Sequence, residues 1–440
     1  MVGMGFKRMD NKINKTVEEI KKLAEGDAFC ILPWIHMHPW PDGRVFTCCL
    51  SEHDAPIGNL NEMDLDECYN SDNMKSFRLD MLDNKKVSNC NRCYELEEVG
   101  HDTLRKRSND EFIFEKYDLH EDKSHIVQET KEDGSLDDVH LTYMDIRFSN
   151  ICNMRCRTCG PDLSSQWFDE AVDSKFNRTP EQKILQIRKG NTAFMEQFDP
   201  YLHTVEKIYW AGGEPLLMDE HWYIMNKLVE MGRTDVRIFY NTNFSKLTYK
   251  DEDAVELWKK FKNVSIGASL DAGWEKGEYL RKGTIWSDTL ANRERLKQEL
   301  PQHDFNISCT VSIFNVLDVC NFYRKLCDIE FIEPKDFGVN ILLGKHVHRA
   351  TVLPLHLRTK AINQIKETLA WIEGKDPVGR ATDTFNSLLQ FMEGDDSHLL
   401  SDSMQEAKEM DRFRAETLFE VFPELSDISS YYNEGAPFGE

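Results

Sequence analysis

The sequence predicts an α/β protein. Its centre is a partial (β/α)6 barrel resembling an incomplete TIM barrel, with a small β-hairpin and helix region before it and a helical region after it. Three observations carry this. Short apolar runs alternate with helical patterns across residues 141–350, and such alternation builds a parallel sheet. About six repeats are too few for a closed eight-stranded barrel. Residues 351–440 lack strand signals and read as helical with a polar tail.

Residues 12–26 read as a short charged helix. Ile31 to His38 reads as a strand, Pro41-Asp42-Gly43 as a turn, and Arg44 to Cys48 as a returning strand, which together make a hairpin. A helical stretch near Leu65–Leu82 precedes Cys90. Residues 105–140 are dominated by charge and read as an exposed linker. Strands are expected at Leu141–Phe148, Val205–Trp210, Val236–Tyr240, Val264–Leu270, Phe305–Val311 and Phe337–Leu343, with helices such as Glu220–Met231 and Ser287–Glu299 between them. The expected domains are therefore 1–104, a linker 105–140, a core 141–350 and a helical region 351–440.

Composition narrows the function. Aromatic residues make up 11% and the hydrophobic set 40% of 440 residues, enough for a packed core. The net charge of −23 repels phosphates and anionic lipid heads, so neither a nucleic acid nor a membrane is the expected partner. No run approaches the roughly 18–20 apolar residues of a membrane helix, and the start carries no secretory signal pattern. A cytoplasmic location is expected. There, clustered cysteines bind metal more often than they form disulfides. The chain has 12. Cys68, Cys309, Cys320 and Cys327 stand apart and read as small buried apolar residues.

Cys152, Cys156 and Cys159 lie in the loop Ser149–Pro161. Their spacing would align them on one helix face, but a strand runs up to Phe148 and Gly160-Pro161 follows at once, leaving little room for a helix. A loop at the C-terminal end of the first strand fits better, and ligand sites form at that edge. Structural zinc wants four closed ligands. Three thiolates in one loop instead suit a cubane cluster with one iron left open.

This CxxxCxxC loop resembles that of the radical S-adenosylmethionine superfamily. The resemblance implies that Cys152, Cys156 and Cys159 hold a catalytic [4Fe–4S] cluster whose open iron binds S-adenosylmethionine. It departs at Thr158, where that family usually has an aromatic residue. Ala211-Gly212-Gly213-Glu214-Pro215 closes the next strand and resembles the family's GGE motif, implying that Gly212, Gly213 and Glu214 bind the methionyl amino group. Asn243, Ser269 and Asp271 fall at the ends of the following strands, matching positions near the ribose and carboxylate. Arg281 resembles a family arginine for the methionyl carboxylate, where a fixed guanidinium suits a bidentate pair. The resemblance covers roughly residues 141–350.

Cys30, Cys48 and the pair Cys90-x2-Cys93, with Gly43 and Gly58-Asn59-Leu60, resemble the auxiliary-cluster domains called SPASM and twitch. Four usable thiols fit the single-cluster twitch form, although here the module precedes the radical core. Cys48 is favoured over Cys49, because neighbouring strand residues face opposite sides. A four-cysteine zinc ribbon is the rival. His36 and His38 read as one exposed strand face.

The expected protein is thus an enzyme with two [4Fe–4S] clusters and S-adenosylmethionine. It would draw electrons from a donor such as a flavodoxin or ferredoxin. It would abstract hydrogen from a peptide or protein side chain or, alternatively, dehydrogenate a small polyol or aminocyclitol. A rival of another class is a non-catalytic iron–sulfur electron carrier.

Overall fold

The computed structural model describes residues 12–98, 102–117, 120–173, 181–188 and 193–433. The chain divides into two compact units. The first runs up to Phe148 and adds Gln186–Tyr209 and Tyr223–Arg237; the second holds Ser149–Leu185, Trp210–Trp222 and the chain from Ile238 onward.

In the first unit, the helix Val17–Glu25 starts at a reciprocal capping box between Thr16 and Glu19, which satisfies two otherwise unpaired donors. The expected strand from Ile31 begins instead as a helical turn, Leu32–Ile35, because Pro33 sits in the first turn, where its missing N–H costs nothing. The strand follows as His36–Pro39 and pairs antiparallel with Arg44–Phe46, so the hairpin is present. Gly43 at its turn has a positive φ of 97°, a conformation that favours glycine. Gly58–Asn59 adds a third short strand. A Cβ at Gly58 would lie 2.7 Å from the Cys68 sulfur, so the strand fits against the helix Leu65–Tyr69 only with glycine there. The helix Asp72–Leu82 follows. On its other edge His36–Pro39 pairs in parallel with Tyr143–Ile146, which neighbours Lys207–Trp210 in the sheet order.

Residues 105–140 are not an exposed linker. The helices Leu104–Phe112 and Ser124–Gln128 pack into this unit and bury Arg105, Asn109, Phe112, Ile126 and Val127. Their charges are paired rather than solvated. Glu111 meets His120, Lys207 and Arg237 at 2.7–3.1 Å, and Lys123 meets Glu206 at 2.6 Å.

In the second unit, Arg237–Thr242, Val264–Ala268, Asp304–Val311 and Phe337–Ile341 are parallel neighbours in that order. All six strands expected in 141–350 are present, so the molecule is a mixed α/β protein with a parallel central sheet, as a partial barrel has. Along Asp304–Val311, Phe305, Ile307, Cys309 and Val311 are buried while Asn306, Ser308 and Thr310 face the other way. This strand thus has a buried apolar face and a polar face. Beyond the last strand the chain is helical, with Leu355–Ile372, Arg380–Phe391 and Leu400–Arg414 as its long helices. Phe385 stacks on Phe337 with ring centres 5.9 Å apart. No helix among the described residues is long and apolar enough to cross a membrane.

Candidate active site

The cysteine loop follows the strand Tyr143–Ile146 and is not helical. Side chains hold it in shape. Asn150 donates to the Pro161 carbonyl at 2.8 Å and accepts from the Leu185 N–H at 2.9 Å. Ser164 Oγ donates to the Met154 carbonyl, and Trp167 Nε1 to the Cys156 carbonyl at 3.0 Å. Arg155–Cys156 forms a two-residue antiparallel ladder with Arg281–Lys282. Cys152 and Cys156 are buried, and Cys159 is half-buried.

The Gly-Gly-Glu segment locks against this loop. A Cβ on Gly213 would lie 2.2 Å from the Ile151 carbonyl oxygen, so only glycine permits the approach. Gly212 has a φ of 102°. The Glu214 N–H donates to the same Ile151 carbonyl at 2.7 Å. The Glu214 carboxylate accepts from Thr242 Oγ1 at 2.8 Å, the Leu216 N–H at 3.3 Å and the Asn243 N–H at 2.7 Å. All three donors are neutral. Burial pushes Glu214 up to about 7 despite these bonds, because a low-dielectric site disfavours a carboxylate without a close cation.

Asn243 Nδ2 bonds Asn153 at 2.8 Å and points to Cys152 Sγ at 3.9 Å, while its Oδ1 accepts from Ser245. Its amide therefore braces the cysteine loop. Ser269, half-buried, bonds the Thr242 carbonyl through its N–H. Arg281 is turned toward Asp271, with Nε 2.8 Å from Oδ2 and Nη2 2.9 Å from Oδ1. Asp271 also accepts from the Thr310 N–H at 2.8 Å. Arg281 Nη1 is directed at Cys156 Sγ, 3.7 Å away. The structure thus brings Glu214, Asn243 and Arg281 to the cysteine loop, and ties Asp271 to Arg281.

The donor set fits an iron–sulfur cluster. Burial raises the Cys152 thiol, with Cys156 and Glu214 adding to it, and pushes Cys159 up to about 12, with Cys156 adding. Three thiolates packed this way repel each other until metal charge offsets them. Among the described residues no three His, Cys, Asp or Glu side chains stand close enough to hold a single metal ion. A cubane seats each cysteine on its own iron, so its ligands stand farther apart than those of one zinc.

The N-terminal cysteines come from separate segments of the first unit. Burial raises Cys30, with Cys90 and Cys93 as neighbours. It raises Cys48 too, with Cys49, Cys90 and Cys30 as neighbours. Cys90 is pushed up to about 12 by burial and by Cys93. Cys49 is pushed up to about 12 by burial and by Asp145. Residues from the expected linker fix the chain around Cys30. Asn109 accepts from the Ile31 N–H and donates to the Phe29 carbonyl, each at 3.0 Å. Arg105 pairs with Glu97 and donates to Phe29 O at 2.8 Å.

His36 and His38 are fully buried rather than exposed. His36 stacks on Tyr143 and donates to its carbonyl at 2.9 Å; burial holds its pKa down to about 4. His38 Nδ1 lies 3.2 Å from Asp145 Oδ2. Sequence reasoning missed Thr242, the His38–Asp145 pair, and the charged partners of the loop described further below. Only Thr242 carried a signal, its place beside Asn243 at a strand end. Of the isolated cysteines, Cys68, Cys309 and Cys320 are buried as expected, and Cys327 is half-exposed.

Family models match the chain twice: the SPASM iron–sulfur cluster-binding domain over residues 30–94 and the radical SAM superfamily over residues 146–317. No curated protein matched the chain. Among solved structures it is similar to native anSMEcpe with bound AdoMet and Cp18Cys peptide, at 18% identity and a TM-score of 0.38, over 53% of this chain and 62% of that one. It is also similar to Streptococcus suis SuiB bound to the precursor peptide SuiA, at 14% identity and a TM-score of 0.31, over 45% and 38%. A third is TYW1 with a lysine-pyruvate adduct bound, at 10% and 0.29, over 51% and 70%. The chain thus spans less than two thirds of anSMEcpe, and likeness this distant says nothing of substrate.

Proposed function

Because the chain belongs to the radical S-adenosylmethionine superfamily, with a SPASM cluster-binding domain ahead of the radical domain, we propose that it cleaves S-adenosylmethionine reductively and abstracts hydrogen from a peptide or protein side chain. The cofactors of these domains are [4Fe–4S] clusters and S-adenosylmethionine. The observation that carries the reading is the buried Glu214 carboxylate, bonded only by neutral groups and locked to the three-cysteine loop.

Cys152, Cys156 and Cys159 are the residues we assign to the catalytic cluster. When bound there and reduced, it supplies the electron that splits the sulfonium and releases a 5′-deoxyadenosyl radical. The protein's own part is placement. Glu214 would accept a hydrogen bond from the methionyl amino group, a charge-assisted bond to a buried carboxylate. Gly212 and Gly213 keep the backbone free of side chains beside it. Arg281 keeps one guanidinium edge on Asp271 and directs Nη1 at Cys156 Sγ, and hydrogen bonds to cluster sulfurs set reduction potential. Asn243 does the same at Cys152. Ser269 completes a polar strand edge suited to the ribose.

Cys30, Cys48, Cys90 and Cys93 are assigned to the auxiliary cluster. Four cysteines complete a cubane's shell, so a cluster held there would supply electron transfer rather than substrate binding, which would make the overall reaction a two-electron oxidation. A peptide substrate is favoured because many relatives with such modules act on peptides. A short precursor gene found beside this one would support that choice; sugar-biosynthesis genes there would count against it. The direct test is chemical. Reconstituted, dithionite-reduced protein should convert S-adenosylmethionine to 5′-deoxyadenosine and methionine; an electron carrier would not.

A further inference from the structure

The last turn of the helix Leu400–Arg414 holds the cysteine loop on both sides of Cys156. On one side, Arg155 pairs with Glu170 at 2.7 Å, and Glu170 takes a two-pronged pair from Arg414 at 3.0 and 2.9 Å. On the other side, the fully buried Arg157 reaches Asp411 at 2.6 Å and Glu416 at 2.8 Å. Asp411 and Arg414 are three positions apart, so one helix face supplies both.

Asp411 is a hub. It also accepts from the Tyr279 hydroxyl at 2.8 Å, the Leu418 N–H at 2.7 Å and the Tyr432 hydroxyl at 2.8 Å. Arg157 lies over the Tyr279 ring, 3.5 Å from its centre, and donates to the Tyr279 carbonyl at 3.1 Å. Trp167, which holds the Cys156 carbonyl, carries the Arg414 guanidinium 4.8 Å from its ring centre.

Exposed ion pairs contribute little. Arg157, Glu170, Asp411 and Arg414 are buried, and apolar residues of similar size often replace such buried pairs at no loss of stability. Charge is retained here at residues on either side of one thiol. We infer that the last turn of this helix is a clamp that sets the position of Cys156, with Asp411 and Arg414 as positioning residues acting through Arg157 and Glu170. The clamp matters because Cys156 is read above as a cluster ligand, but its test needs no cluster.

The test is alkylation of the full-length protein, freed of iron, by iodoacetamide, read by mass spectrometry at each cysteine. Cys309 and Cys320 are buried in the same unit and serve as references. Asp411→Asn should raise the rate at Cys156 by about tenfold, within what an unpaired buried charge can cost, and leave Cys309 and Cys320 unchanged. Glu416→Gln, at a less buried position, should do the same more weakly and carries the test if Asp411→Asn does not fold. A uniform rise at all three thiols, or no change at Cys156 in a folded variant, overturns the clamp. With iron restored, a clamped Cys156 also predicts faster iron loss to a chelator in the variants than in wild type; equal rates overturn it. Failure of wild type to build a cluster on the loop would instead count against the proposed function, since the alkylation result stands without it.

Discussion

The two cysteine groups are assembled in opposite ways. In the second unit, Cys152, Cys156 and Cys159 come from one loop, and a buried acid, Glu214, stands beside them. In the first unit, Cys30, Cys48, Cys90 and Cys93 come from three separated stretches, and the groups around them are already paired, as Arg105 is with Glu97. The eight residues Cys152–Cys159 would present three ligands and leave a fourth position to a small molecule. The three segments would supply four ligands and leave none. The comparison teaches that chain layout and ligand count go together: on the proposed assignment a single loop offers too few cysteines to fill a cubane's shell, whereas separate segments offer four.

The largest effect that would break this contrast is loss of the loop cysteines. Changing Cys152, Cys156 and Cys159 together to Ala should abolish 5′-deoxyadenosine formation and lower iron from about eight to about four per chain, four for each cubane. Cleavage that persists in this variant refutes the assignment. The second effect is at the other group. Folded Cys93→Ala protein should still make 5′-deoxyadenosine but yield no oxidised product. Full product yield would mean that the N-terminal cluster only staples its domain, as metal sites often do.

A smaller effect concerns Glu214. Its charge-assisted bond to the methionyl amino group contributes about 1.5–3 kcal/mol, so Glu214→Gln should weaken S-adenosylmethionine binding roughly 10–150-fold. Unchanged affinity by calorimetry would remove Glu214 from the site. The smallest effect is a proton. Burial pushes Glu214 up to about 7, above the roughly 4.3 of an unfolded Glu. Its contribution to stability is present below about 4.3 and is lost as pH rises to about 7. A bound cation expels that proton, so affinity should rise over the same window. Calorimetry at pH 6 in two buffers should show about one proton fewer released on binding by Glu214→Gln than by wild type. Equal proton release in the two proteins contradicts the assignment.

The strands and the three-cysteine loop were legible in the sequence because their signals are local. Alternation along Asp304–Val311 and the spacing of Cys152, Cys156 and Cys159 lie within a dozen residues. What the sequence hid depends on distant partners. Charge in 105–140 suggested exposure, but Glu111 finds Lys207 and Arg237 far along the chain. His38 looked exposed until Asp145 came alongside it. Pro33 turned the start of an expected strand into a helical turn. The C-terminal region read only as helical, because nothing local ties Asp411 to Arg157, 254 positions away.

The central claim is that one cysteine group leaves an iron open and the other does not. Electron–nuclear double resonance with S-adenosylmethionine carrying 15N in its amino group tests this most directly. A 15N coupling to the reduced cluster is expected in wild type and in Cys93→Ala, and none in the variant lacking Cys152, Cys156 and Cys159. A coupling that survives loss of the loop cysteines, or that vanishes with Cys93, would contradict the account.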